Sequence, residues 1–424
     1  MNNVQAEKLD FVKGKVLVVG VDVAKKTNYA RFIDSQGYEL CKHYRFQNDL
    51  DGIKSFISKI KYLEHKHGLE RTVVGMEPSG HYWEPLAYQL KEYQLGQVFV
   101  NPYHVKCSKE MADNSPSKSD QKDALLIAKL VIDGNYFKMY LPEGIYRDLR
   151  NLTRERYQLR KKLNNSKNRL IAQLDSYFPE LFKVFKDPLG QTAVYILEHH
   201  PFPQDIAALA LEELATAIKG ASKSRLGLKR ALELKKAAND SVGINEGLAS
   251  ARYRLKSCLT EIAFYKAQLS SLEELMLRYL NDTGFSRNLL SIPGVGVVTA
   301  ARFLGEVGDI SRFDSPEQII KLAGLNLKTN SSGQRKGKTT ITKRGRSELR
   351  SLLYQSALVM VCRNEQMSKS YHYYRTRSSN PLKSKQALVV IMKKLVRIIY
   401  ALITKDELYD PAVALREDFV TPAA

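Results

Sequence analysis

Apolar positions change texture twice along the chain. From Lys15 to Ala24, Val16-Leu17-Val18-Val19 and Val21 are apolar almost without interruption, the pattern of a strand covered on both faces. Tyr29 to Asp34 and Tyr38 to Phe46 flank Ser35-Gln36-Gly37 and predict a β-hairpin. Leu50 to His67 has helical periodicity. Arg71 to Glu77 predicts a second buried strand, broken by Pro78-Ser79-Gly80. Trp83 to Tyr93 reads as helix and Gln97 to Val100 as strand, ended by Asn101-Pro102. Lys106 to Ser119 reads as a loop, and helical spacing resumes from Ala124.

Beyond Leu141-Pro142 the pattern becomes helical. Leu149, Leu152, Leu159, Leu163, Leu170 and Leu174 fall at helical intervals in a basic stretch ended by Phe178-Pro179. A second long stripe runs from about Ala251 to Leu280 through Leu255, Leu259, Ile262, Leu269, Leu272 and Met276. Two such helices are able to pair as a coiled coil, within one chain or between chains. Gln191 to Asn239 between them predicts shorter helices and carries no chemical signature. From Phe285 the chain changes again: Leu290 to Ala300, with Pro293, Gly294 and Gly296, resembles a helix-hairpin-helix turn. The expected organisation is an α/β domain over 1–140, a basic helical coiled-coil region over 141–284, and a mainly α domain over 285–424.

Charge adds a partner class. Lys and Arg number 66 against 45 Asp and Glu, a formal net charge of +21, which favours a polyanion because neutralised phosphates release counterions. Cys41, Cys107, Cys258 and Cys362 are scattered without a CxxC pair, against a zinc module or disulfide framework. Met1 to Asp10 has no apolar core of a secretory signal. The most apolar late run, Ala387 to Ile403, is interrupted by Lys393, Lys394 and Arg397 and is too charged to span a bilayer. A cytoplasmic protein in contact with nucleic acid is expected, with no membrane partner.

The candidate chemistry starts from Asp120 and Asp123. Their i, i+3 spacing puts two carboxylates on one face at a helix start. Alone, the pair reads equally as an N-cap and a solvated first-turn acid. Asp22 and Glu77 each close a buried strand, and ligands of mixed α/β sheets collect at such ends. Four carboxylates of this kind can hold one or two Mg²⁺ ions and polarise a phosphodiester. Nine cations, Arg154, Arg160 and Lys161 among them and Arg147, Arg150, Arg156, Lys162, Lys167 and Arg169 the rest, fill the long helix against the acids Asp148, Glu155 and Asp175, which predicts a phosphate-contacting face. Further on, Ser331, Ser332 and Gly333 sit amid Lys328, Arg335, Lys336, Lys338, Lys343, Arg344 and Arg346. That segment reads either as a disordered basic loop or as a serine activated among cations to attack phosphorus. Tyr371, Tyr373 and Tyr374, interleaved with Lys369, His372, Arg375 and Arg377, fit base stacking and helix core alike.

These stretches resemble one family. Gly20-Val21-Asp22-Val23-Ala24-Lys25, Met76-Glu77-Pro78-Ser79-Gly80-His81-Tyr82-Trp83, Asn101-Pro102 and Ser119-Asp120-Gln121-Lys122-Asp123-Ala124 are similar to the DEDD motifs of the insertion sequence 110 family of transposases. Ile292-Pro293-Gly294-Val295-Gly296, Ala323-Gly324-Leu325, Ser332-Gly333 and Lys343-Arg344-Gly345 resemble that family's second domain. The resemblance implies a ribonuclease-H or RuvC-like catalytic domain, Mg²⁺ at Asp22, Glu77, Asp120 and Asp123, and a phosphoserine intermediate on a C-terminal serine. It also implies donor and target double-stranded DNA, a structured non-coding guide RNA, and dimers assembling to a tetramer in the bacterial or archaeal cytoplasm, at the nucleoid. The family's serine precedes a glycine, which favours Ser332 over Ser331. Two other readings stand beside a DNA recombinase: a junction-resolving nuclease that uses the four acids alone, and a basic nucleic-acid-binding protein without catalysis.

Overall fold

The computed structural model describes residues 3–78, 80–112, 120–138, 140–328, 331–332, 335–336 and 339–414. The chain forms two compact units, Met1–Leu141 and Pro142–Ala424.

The first unit is built on a mixed sheet. Helix α1 (Asn3–Phe11) leads into β1 (Val16–Asp22), followed by β2 (Thr27–Asp34), β3 (Glu39–Gln47), α2 (Leu50–His67), β4 (Arg71–Met76), α3 (Trp83–Glu92), β5 (Gly96–Val100), α4 (Pro102–Ala112), α5 (Asp120–Ile132) and β6 (Tyr136–Lys138). The strand order is β3-β2-β1-β4-β5-β6. β1, β4 and β5 run parallel, and β2, β3 and β6 pair antiparallel with their neighbours. The uninterrupted apolar run of β1 follows from this position: Leu17, Val19 and Val21 pack with α2 and α3, while Val16 and Val18 pack with α5. Helix α2 starts at Asp49, whose carboxylate accepts from Gly52 N–H at 2.8 Å, and stops at Gly68 with φ 63°.

Two boundaries differ from the sequence reading. Asn101-Pro102 ends β5 and also starts α4, because proline suits the first helical position and the Asn101 carboxamide accepts from Tyr103 N–H at 2.9 Å. The expected loop is therefore helical up to Ala112, and 113–119 lies outside the described residues. Helix α5 begins at Asp120, a turn before Ala124; polar residues hide a helix start from apolar periodicity. Helix α1 and strand β6 are too short or too polar to announce themselves, and they brace each other: Lys8 Nζ donates to Tyr136 O, and Tyr136 Oη to Lys8 O at 2.9 Å.

The second unit is helical. Helix α6 (Gly144–Tyr177) is followed by α7 (Leu181–Val184), α8 (Gln191–His199), α9 (Pro203–Ala208), α10 (Leu211–Ala221), α11 (Leu228–Asn239) and α12 (Leu248–Asp282). Helices α6 and α12 lie antiparallel within the chain, since Arg156 pairs with Glu273 at 2.7 Å and Arg169 with Glu261 at 3.0 Å. Leu159 to Leu174 of α6 and Leu255 to Leu269 of α12 share a core with α7, α8, α10 and α11. The other ends of the same two helices, at Leu149, Met276 and Leu280, enter a second core. That core is completed by α13 (Ser286–Leu290), α14 (Val297–Val307), α15 (Pro316–Leu322), α16 (Ser347–Arg363), α17 (Glu365–Thr376) and α18 (Ser384–Lys405). A last short helix is α19 (Pro411–Ala414). Between α15 and α16, β7 (Leu327–Lys328) pairs with β10 (Thr340–Ile341), and β8 (Ser331–Ser332) with β9 (Arg335–Lys336), both antiparallel. Among the described residues no helix is long and apolar enough to cross a membrane.

Candidate active site

Two glycines set the geometry of the acidic end of the sheet. A Cβ on Gly20 of β1 would lie 2.0 Å from Ala124 O and 2.5 Å from Ala128 N. A Cβ on Gly75 of β4 would lie 2.6 Å from a Val131 methyl and 3.3 Å from one of Ile127. Gly20 and Gly75 are register partners on adjacent parallel strands. Helix α5 thus lies directly on the strand backbones, a closeness that only a missing side chain permits.

The periodicities of strand and helix then place the acids. Two residues beyond Gly20, on the same face of β1, comes Asp22, and two beyond Gly75, just past the end of β4, comes Glu77. One helical turn before Ala124 and Ile127 come positions 120 and 123. The opposite end of α5 is marked by Asp133 O, which accepts from Gln5 of α1, the helix that precedes the start of β1. The start of α5 therefore lies at the carboxyl end of β1 and β4, where Asp22 and Glu77 stand.

A polar clamp joins the loops that follow these strands. Asn48 Nδ2 donates to Ala24 O at 3.2 Å and to Tyr82 O at 3.1 Å, tying the loop after Asp22 to the loop after Glu77. The fully buried Asn28 accepts from Ala24 N–H at 3.0 Å. Sequence reasoning missed both asparagines, because neither belongs to an acidic or basic pattern. It also missed Lys109 of α4, whose ammonium pairs with the Asp123 carboxylate.

Asp22 and Glu77 are half-buried, and so is Asp123; the Asp120 side chain lies outside the described residues. Among the described residues no three His, Cys, Asp or Glu side chains are gathered as a metal site. The donor chemistry is that of a hard divalent cation, since carboxylate oxygens are its ordinary ligands. The Lys109 ammonium supplies positive charge to one of these carboxylates.

The basic candidates divide. Arg154, Arg160, Lys161 and Lys162 of α6 are exposed. Arg150 is buried and donates to Gly305 O at 2.8 Å and Glu306 O at 3.2 Å. Arg156 and Arg169 face Glu273 and Glu261 of α12. The expected nine-cation face is corrected by these three, since acids and carbonyls distant in sequence take them up. In the second domain, Lys328, Lys343 and Arg344 are exposed, whereas Arg346 turns inward and donates to Glu306 O. Lys338 and the side chains of Arg335 and Lys336 lie outside the described residues, as does that of Ser332. The backbone register sets Ser332 opposite Arg335 and Ser331 opposite Lys336, so this segment is strand-paired where a disordered loop was one expectation.

Motifs apart in sequence meet in this unit. Lys343 N–H donates to Gly324 O at 3.0 Å, and Arg346 N–H to Leu322 O at 2.7 Å. A Cβ on Gly345 would lie 2.4 Å from Leu322 O, so the turn at Gly324 and the segment at Gly345 pack backbone to backbone. Tyr371 packs against the core. Tyr373 is 40% exposed and makes an edge contact with Tyr374 at 5.3 Å, so the three tyrosines are split between core and surface.

Comparison with known proteins matches both ends of the chain to one group. The DEDD transposase model of IS110 matches residues 19–179, and the model described as transposase, IS116/IS110/IS902 family, matches 286–372. An uncharacterized protein of insertion element IS116 from Streptomyces clavuligerus is 23% identical over 395 residues, covering 93% of this chain and 96% of that protein. A pilin gene-inverting protein from Moraxella lacunata is 24% identical over 413 residues, covering 93% and 98% respectively. A transposase for element IS1111A from Coxiella burnetii is 29% identical over 164 residues, 38% of this chain and 45% of that protein.

Proposed function

From its membership of the IS110 family of transposases, we propose that this chain, a DNA transposase or recombinase, cuts and re-joins DNA through a covalent serine intermediate. The observation that carries the reading is the seating of α5 on Gly20 and Gly75, which brings positions 120 and 123 to the strand ends of Asp22 and Glu77. Those four residues would hold Mg²⁺. When bound, the ion supplies charge stabilisation to a phosphodiester undergoing displacement. Asn48 keeps the two acid-bearing loops at a fixed separation.

Ser332 is the nucleophile in this reading. Its Oγ forms a bond to phosphorus while one phosphorus–oxygen bond of the DNA strand breaks, and the serine proton ends on the leaving oxygen. Reversal by the hydroxyl of another strand re-joins the DNA and frees the serine. The cations Lys328, Arg335, Lys336, Lys338, Lys343 and Arg344 surround this serine in sequence, and Arg154, Arg160 and Lys161 offer phosphate contacts along α6. A structured guide RNA from the element selects the donor and target DNA by pairing, in a homo-oligomer of paired dimers whose long helices pack as coiled coils and whose Gly294–Gly296 turn approaches DNA as a helix-hairpin-helix.

The test uses the full-length protein with its copurifying RNA, Mg²⁺ and labelled DNA carrying the element's end. Wild type is expected to give a protein–DNA adduct on a denaturing gel. Ser332→Ala is expected to abolish it, and Asp120→Asn to lower strand cleavage by at least about a hundredfold. An adduct that survives Ser332→Ala but not Ser331→Ala moves the nucleophile by one residue. Cleavage without any adduct in the wild type sinks the serine mechanism and leaves a nuclease.

A further inference from the structure

Beyond the acid row, the face of the sheet that α5 covers continues onto β2 and β3 and becomes basic. Cross-strand partners share a face, so the register can be followed from strand to strand. Asp22 pairs with Tyr29, and Tyr29 with Arg45. Gly20 pairs with Arg31, and the Arg31 guanidinium lies 3.5 Å from His43 Nδ1. Asp22, Tyr29 and Arg45 therefore form one row across three adjacent strands, and Glu77 directly follows Met76, the register partner of Val21.

A cleft of about 160 Å³ opens on this face, lined by Tyr29, Arg31, Lys42, His43, Arg45 and, from the first turn of α5, Ala124. Lys42, His43 and Arg45 are exposed. Arg31 is held from within by both carboxylate oxygens of Glu39, at 2.8 and 3.0 Å, so it serves as a fixed wall of the cleft. Among the described residues Lys42 and Arg45 enter no ion pair. At a strand spacing of about 4.8 Å, Arg45 stands about 10 Å from Asp22, about three phosphate repeats of one strand measured along the DNA axis.

We propose that this cleft on β2 and β3 binds the phosphodiester backbone of the DNA strand that is cut, next to the scissile phosphate, with Lys42 and Arg45 as its phosphate contacts. The edge position suits this role. Among the described residues β3 has no strand beyond it, and two cations on an edge strand disfavour pairing with another chain while leaving the groove open to a polyanion. The contacts are to backbone, so the cleft adds affinity and registers the strand without reading sequence. The inference rests on the proposed DNA-cleaving function, and binding measured without chemistry separates the two.

The experiment measures binding of the full-length protein to a labelled mixed-sequence DNA duplex by fluorescence anisotropy over a salt series, in EDTA and in an Asp22→Asn background. The duplex of the same sequence in RNA serves as the second probe. Lys42→Glu/Arg45→Glu is expected to weaken DNA binding about tenfold or more and to flatten the log K against log salt slope by about two, one unit per lost phosphate contact. Hydrogen exchange of Glu39–Gln47 is expected to slow on adding DNA to the parent protein and not to the variant. Lys42→Gln/Arg45→Gln, which keeps strand-compatible side chains, is expected to give an intermediate loss. An unchanged slope and affinity in a double variant with unaltered melting overturns the proposal, and so does a loss confined to the RNA duplex. If Asp22→Asn still cuts DNA in a parallel cleavage assay with Mg²⁺ while the slope in EDTA flattens as expected, the catalytic reading fails and the cleft stands.

Discussion

Helix α5 meets β1 through backbone at Gly20, whereas α6 rests on α12 through side chains. Under α5 the strands offer Gly20, which faces the main-chain atoms Ala124 O and Ala128 N and fixes the separation there, and Gly75, which faces the methyls of Val131 and Ile127. Between α6 and α12 the contact is a stripe of leucines flanked by the Arg156–Glu273 and Arg169–Glu261 pairs. Leucines repack when a neighbour changes; two backbones in contact have nothing to rearrange. The first arrangement suits a segment that must present two carboxylates at one place. The second suits a long support that joins two cores.

The largest expected effect is at the glycine seat. Gly20→Val drives a branched side chain into Ala124 O and is expected to cost at least about 3 kcal/mol and to remove strand cleavage altogether. Thermal melting and a cleavage assay read the two losses. A variant that melts normally and still cuts would mean that α5 is not held as described. Leu170→Ala empties a fully buried position of α6 and is expected to cost about 3 kcal/mol. Cleavage below the melting transition should stay within about twofold of wild type, which the same assay checks.

Asn48→Asp tests the clamp by replacing its donor with an oxygen that faces two carbonyls. We expect a loss of about 1–3 kcal/mol in stability and a fall of ten- to a hundredfold in cleavage. Asn48→Ala should fall less, since it removes the donor without adding repulsion. Equal activity in all three proteins would show that the loops hold themselves.

The smallest effect concerns pH. The Ser166 hydroxyl, which donates to Glu261 at 2.5 Å, and then Arg169 hold the Glu261 carboxyl below its ordinary range. A lowered folded pKa stabilises the protein above the unfolded value, and this contribution disappears as pH falls through the folded value. Glu261 is about a third exposed, so screening limits the effect to less than about 1 kcal/mol. Melting temperatures of wild type and Glu261→Gln should differ at pH 7 and converge near pH 3.

Much of this was readable from residue order. The buried strand at Val16–Asp22, the hairpin, α2, and the two long helices with their leucine stripes follow from local periodicity, which needs no partner to be visible. The end of β5 was read correctly, but Asn101-Pro102 also caps α4, and a helix start built from polar residues carries no apolar rhythm. Asp22, Glu77, Asp120 and Asp123 stand out in the sequence as acids at ends of elements, whereas nothing local marks Gly20 and Gly75 as the seat of α5.

The sequence by itself determined the elements, the basic balance and the family motifs, because these depend on residues near one another in the chain. Tertiary structure alone decided which of them act together. Arg150 looks like a surface cation until the Gly305 and Glu306 carbonyls take it up, and Arg45 looks like an ordinary edge residue until the register sets it in a row with Asp22. Burial and cross-strand alignment are properties of pairs distant in sequence, and no local pattern records them.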